Sequence, residues 1–200
     1  MRESYQIVER QFKQHRGIMR MSDILAAGVN RRALYSMVEA GHLERISRGI
    51  YRLSSLPALE TPDLVTVAKR IPKCVICLIS ALAYHGLTTQ IPHAVDVAIV
   101  KGTERPRIDY PPINVYWFSG SAFTEGIQEI EVDGHHVRMY SAEKSIADAF
   151  KYRNKIGLDI AIEALKLWRE RPGVSFEQLL VQARICRVER VIRPYLEAVA

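Results

Sequence analysis

Cysteine is scarce in this sequence, with three residues, Cys74, Cys77 and Cys186, and no dense spacing. So odd and thin a set excludes a disulfide-stapled scaffold and points to a reducing compartment. Long apolar runs are missing too. No stretch approaches the ~20 apolar residues of a membrane span. The opening MRESYQIVERQFKQH is charged throughout and lacks the apolar centre of a secretory signal. The expectation is a cytoplasmic protein with no membrane contact.

The signatures of common chemistries are equally absent. There is no G-x-S-x-G and no G-x-x-x-x-G-K-[ST]. The histidines His15, His42, His85, His93, His135 and His136 form neither H-x-x-x-H nor H-E-x-x-H. Cys74 and Cys77 have C-x-x-C spacing, but a structural zinc site needs four ligands and only Cys186 remains. The residues between them are apolar and β-prone, as in a core segment. Asp96 after Gly86 loosely resembles a nucleotidyltransferase arrangement, yet Ala98 stands where the second carboxylate belongs. Two-metal phosphoryl chemistry needs paired carboxylates. A nuclease of the Asp…Glu-x-Lys kind fares no better, because Ile99 precedes Lys101 at the acid's position. A protein without catalytic activity, metal or cofactor is expected. An enzyme with a phosphoryl-transferring second domain is the competing reading. A protein-interaction adaptor is a third.

Charge is present and unevenly spread. The net charge is +6, and residues 1–60 hold 10 Lys and Arg against 6 Asp and Glu. Most of the surplus therefore lies on less than a third of the chain, the footprint of a small nucleic-acid-binding module joined to a near-neutral partner.

Within that third, Tyr5, Val8 and Phe12 follow the i, i+3, i+7 spacing of one helix face, and Gly17 ends the helix. Ser22 is a candidate N-cap of a short helix over Ile24–Ala27 that Gly28 stops. Asn30 caps the next helix, to Ala40, after the brief link a helix-turn-helix requires. Ala33, Leu34, Met37 and Val38 fall on its inner side. Arg31, Arg32, Tyr35, Ser36 and Glu39 fall on the other, near the end that enters the major groove in such proteins. Two short runs then meet at Ser47-Arg48-Gly49, a hairpin signal. Leu43 and Ile46 break its alternation, which places the strand start near Arg45. Arg45, Arg48 and Arg52 make this hairpin basic, as a wing on phosphates would be. The candidate DNA-contacting set is Ser22, Asn30, Arg31, Arg32, Tyr35, Ser36, Arg45, Arg48 and Arg52.

Residues 54–62 read as a linker, with Thr61 as a helix cap and Pro62 at the first helical position. A helix over Asp63–Arg70, an apolar run at Cys74–Ile79 and a helix closed by Gly86 follow. Ala94–Val100 and Ile113–Phe118 read as strands. Ile127–Val132 and His135–Tyr140 form a hairpin across Asp133-Gly134, a type I′ signal. The tail is helical over 142–152, 158–169, 175–183 and 188–199, with Pro194 expected to kink or interrupt the last helix. The fold class expected is α+β. A winged helix-turn-helix occupies 1–56, and a mixed α/β domain occupies 61–200 and ends in a bundle-like helical tail.

Three motifs carry a family resemblance. They are Ser47-Arg48-Gly49-Ile50-Tyr51-Arg52, then Ser80-Ala81-Leu82-Ala83-Tyr84-His85-Gly86-Leu87-Thr88 with Ile91-Pro92, and then the run from Tyr140 to Arg153 with Gly157-Leu158-Asp159. With them the chain resembles the AbiEi antitoxins of type IV toxin–antitoxin (abortive infection) systems. The resemblance implies a transcriptional repressor that binds promoter repeats of its own operon as double-stranded DNA. It also implies a second domain that counters a nucleotidyltransferase-like toxin without necessarily holding it. Lys144, Asp148, Lys151, Tyr152 and Arg153 are the candidate antitoxin surface. A monomer in solution is expected, since no heptad is visible. A stand-alone regulator without a toxin is the alternative within this reading.

Overall fold

Amphipathic runs punctuated by glycine set the first elements. The structure, a computed structural model, describes residues 2–199. Among them, α1 (Arg2–Gln14) buries Val8 and Phe12 and leaves Ile7, off the stripe, about half exposed. Gly17 (φ +82°) turns the chain into β1 (Ile18–Arg20) and α2 (Met21–Ala26). α3 (Arg31–Glu39) starts at Asn30, whose side chain accepts the Ala33 N–H at 2.7 Å, as expected of an N-cap. Ser22 is not a cap. The helix begins two residues earlier than a Ser22 cap requires, with Arg20 in the cap position and the Met21 N–H bonded to the Gly49 carbonyl, and the Ser22 hydroxyl donates to Asp23 instead.

β2 (Leu43–Ser47) and β3 (Ile50–Leu53) form the hairpin, and β1 completes an antiparallel sheet of order β1-β3-β2. The strand starts at Leu43, not Arg45. A register shift between Arg45 and Ser47 absorbs the extra residue, which reconciles the parity of Leu43 and Ile46. Phe12, Met19, Ile24, Leu34, Met37, Leu43, Tyr51 and Leu53 make the core beneath these elements.

By contacts the chain divides into two units. The first takes in residues up to Pro72, with Pro106–Pro112 and Glu131–His136. It includes α4 (Pro62–Arg70), which packs on β1 and β3, beyond the 1–56 span read from composition. Thr61 does not cap α4. Its hydroxyl and N–H, and the Glu60 N–H, all donate to the Asp133 carboxylate. Arg16 pairs with Glu131 at 3.2 Å and donates to the Gly134 carbonyl.

The second unit comprises Lys73–Arg105, Ile113–Ile130 and the chain from Val137 onward. Its sheet has the order β6-β5-β4-β8-β7. β4 is only Val75–Ile76, because Cys77 and Leu78 (φ +44°) turn the chain into α5 (Leu78–Tyr84). β5 (Val95–Val100) runs antiparallel to β4 and parallel to β6 (Ile113–Phe118). After the short α6 (Ser121–Thr124), β7 (Ile127–Val132) and β8 (His135–Tyr140) form the expected hairpin, with φ positive at both Asp133 (+48°) and Gly134 (+77°).

The tail runs α7 (Ala142–Lys151), α8 (Arg153–Ile156), α9 (Leu158–Arg169), α10 (Phe176–Ile185) and α11 (Glu189–Val199). Ser141 and Ser175 cap α7 and α10 through their hydroxyls. α11 continues through Pro194, whose lost bond falls on the exposed side with Arg190. α7 is the centre of this unit, buried on every side from Lys144 to Phe150 by α5, α9, α10 and α11. The whole is a mixed fold of helices and sheets. Among the described residues no helix is long and apolar enough to cross a membrane.

Candidate nucleic-acid interface

The packing of α3 decides which of its side chains face outward. Leu34 and Met37 are buried, while Arg31, Arg32, Tyr35 and Glu39 are exposed, Tyr35 at 49%. Ser36 is less available than expected: it is half-buried, and its hydroxyl shares a 2.6 Å hydrogen bond with the Tyr5 phenol of α1. Tyr35 lies beside Tyr51 of β3. Burial first, and then this neighbouring phenol, push the Tyr51 hydroxyl up, with Arg45 opposing. α3 packs against β2 of the hairpin.

On the hairpin the three arginines differ. Arg45 is exposed and reaches the Ser47 carbonyl at 3.4 Å, and Arg48 is exposed at the turn. Arg52 does not belong with them. It is only 6% exposed, pairs with Glu44, and donates to the carbonyls of Leu56 and Pro57. The guanidinium holds the chain leaving β3, so its charge is spent inward. β3 is the central strand of the sheet, which is why a residue placed on the wing by sequence ends up covered.

The turn is also braced. The Ser47 hydroxyl donates to the Tyr110 carbonyl at 2.8 Å, and the Arg70 guanidinium lies 3.8 Å from where a side chain on Gly49 would project. Arg20, at the end of β1, is in register with Ile50. Neither Arg20 nor Arg70 stood out in sequence. Arg20 falls between elements, and Lys69-Arg70 reads as an ordinary basic helix end.

The second candidate set fares differently. Lys144 and Asp148 are fully buried and paired at 2.5 Å, so they offer no surface. The Lys144 ammonium sits over the rings of Tyr140 (4.1 Å) and Phe118 (4.8 Å), and the Cys186 thiol lies 3.2 Å from Asp148. Burial pushes the Asp148 carboxyl up, and Lys144 pulls it back. The two stand at i, i+4 on α7, and because α7 is enclosed they form a core pair and not a surface one. Tyr152 is half-buried against Tyr116 and Phe118. Arg153 is half-buried and donates to the Phe150 carbonyl at 2.8 Å. Of the set, Lys151 alone is exposed.

Asp96 is 2% exposed, accepting from Asn114 at 2.9 Å and from the Ile79 N–H at 3.0 Å. It borders a cleft of about 590 Å³ together with Tyr116 and Lys155. Burial pushes its carboxyl up, against these hydrogen bonds. The group staples β5 to β6 and to the start of α5. Among the described residues no three His, Cys, Asp or Glu side chains gather in a way that could hold a metal ion. Cys74, Cys77 and Cys186 are buried free thiols, and burial pushes all three up, Cys74 and Cys186 to about 12.

The first quarter of the chain is similar to a known family. Residues 6–54 match the family described as the AbiEi antitoxin, a transcriptional regulator. The match spans α1 to β3 and carries the resemblance seen in the Ser47–Arg52 motif; it ends before the other two motifs. In three dimensions the chain is similar to the Rv2827c protein from Mycobacterium tuberculosis, with a TM-score of 0.55 at 12% identity, over 96% of this chain and 79% of that one. At that identity the likeness concerns the fold. No curated protein matches the chain.

Proposed function

We propose that residues 1–56 form a winged helix-turn-helix that binds double-stranded DNA, and that the protein is a transcriptional repressor. The observation that carries this is the two-sided packing of α3. Its buried Leu34 and Met37 hold Arg31, Arg32 and Tyr35 outward at its N-terminal end. Arginines so placed can pair with guanine edges or grip phosphates. Arg45 and Arg48 on the hairpin supply backbone contacts, and Asn30 acts by capping the helix. The family match over 6–54 supports this regulator reading and its extension. In that extension the protein represses its own operon at promoter repeats. It also serves as the antitoxin to a nucleotidyltransferase-like toxin, with residues 61–200 carrying that second role.

The test is binding to its own upstream DNA across a salt series. Each phosphate contact contributes about −0.9 to the slope of log affinity against log salt. Arg31→Ala/Arg32→Ala should weaken binding and flatten the slope. Wild-type affinity in that double variant sinks the assignment of α3. For the antitoxin role, co-expression with a nucleotidyltransferase-like toxin should restore growth. A second reading, a stand-alone regulator without a toxin, is favoured by the confinement of the family match to 6–54. Repression without growth rescue would select it.

A further inference from the structure

We propose that the phosphate-contacting surface of the first unit does not stop at the hairpin but continues onto the end of α4, with Arg20, Arg48 and Arg70 gripping one stretch of DNA backbone. This rests on the DNA-binding reading above.

The three arginines come from separate elements: Arg20 and Arg48 adjoin the turn along the backbone, and the Arg70 guanidinium reaches Gly49. Arg48 precedes Gly49 in the turn. Gly49 takes φ +75°, and its carbonyl accepts the Met21 N–H at 2.8 Å, which sets the neighbouring Arg20 beside the turn, in register with Ile50. Arg70 reaches over Gly49 from the last turn of α4, and its Nη2 donates to the Arg107 carbonyl at 3.3 Å. That bond and the Ser47–Tyr110 bond hold the ridge in place before any ligand arrives.

Arg48 is exposed at the turn, and Arg20 and Arg70 are half-buried beside it. Lys69 adds to the concentration of charge. Burial, then Arg20 beside it, push its ammonium down, with Arg16 acting the same way and Asp23 opposing. Gathering like charges on one ridge costs free energy in the isolated protein. A run of phosphates offsets that cost. Such contacts set register and orientation without reading bases, so α4 would strengthen binding to any duplex equally.

The test uses the full chain, a duplex of its upstream region and a scrambled duplex, with affinity read by anisotropy over a sodium chloride series. Arg70→Ala and Arg70→Gln should each flatten the slope by about 0.9 and weaken both duplexes by the same factor. Arg70→Lys should restore the slope, because charge is what is required. Gln retains a donor for the Arg107 carbonyl, so it separates charge from bracing. An unchanged slope in Arg70→Gln, or a loss that Lys does not restore, overturns the proposal. Wild-type protein with no salt-sensitive affinity overturns the DNA-binding reading along with it. A defect in Arg31→Ala/Arg32→Ala with none in Arg70→Gln removes α4 alone.

Discussion

Removing the Lys144 ammonium is the sharpest perturbation of the second unit. Lys144 and Asp148 are fully buried at 2.5 Å, with aromatic rings in place of water around the cation. Lys144→Met keeps most of the volume and leaves the carboxylate with the Cys186 thiol as its remaining side-chain partner. Breaking a buried pair from one side costs about 3–5 kcal/mol, whereas replacing both members with apolar residues is often near neutral. Lys144→Met/Asp148→Leu should therefore recover most of the loss, so that the two single costs are far from additive in a double-mutant cycle.

The pH dependence adds an independent check. Without Lys144, the Asp148 carboxyl, already pushed up by burial, rises further. Its folded pKa then lies above its unfolded value. Stability present at acid pH is lost as pH rises through the folded pKa, by about 1.4 kcal/mol for each unit of separation. Urea unfolding of Lys144→Met from pH 4 to 8 should show this decline relative to wild type, and Lys144→Met/Asp148→Leu should not. A cost below about 1 kcal/mol for Lys144→Met, or additive costs in the cycle, would refute the buried pair as described.

Arg52→Ala should cost about 1–3 kcal/mol in unfolding free energy through the lost bonds to Glu44, Leu56 and Pro57, yet leave the salt slope of DNA binding unchanged. A flattened slope at full stability would return Arg52 to the interface. His135 is 3% exposed, and burial first, then Lys69 and Arg16, push it down to about 4. Between the ordinary value near 6.5 and about 4, the folded chain binds fewer protons than the unfolded chain, so stability falls as pH falls across that window. NMR titration should place the His135 midpoint near 4, and His135→Gln should flatten the decline; a midpoint near 6.5 contradicts the burial. Asp133, whose carboxyl is held low by the Thr61 and Glu60 donors despite partial burial, acts below that window and leaves the two effects separable.

Local chemistry made much of the candidate site legible. Asn30 before a 3.6-residue pattern identifies a capped helix, because capping and burial of Leu34 and Met37 are decided within a few residues. The Asp133-Gly134 turn is equally local, since few residue pairs accept positive φ twice. Solvent exposure is different. Arg52 and Arg48 look alike in a basic hairpin, and only the addition of β1 to the sheet makes β3 central and covers Arg52.

The same holds for α7. The spacing of Lys144 and Asp148 is a sequence property, but their burial is imposed by α5, α9, α10 and α11 closing around them. Arg70 lies far from Gly49 along the chain and comes to lie beside it because α4 packs on β1 and β3. The sequence alone determined the capped, two-faced helix and the basic hairpin, because these depend on neighbours within one turn. Tertiary structure alone decided which charges meet water and which meet one another, because burial depends on what distant segments bring.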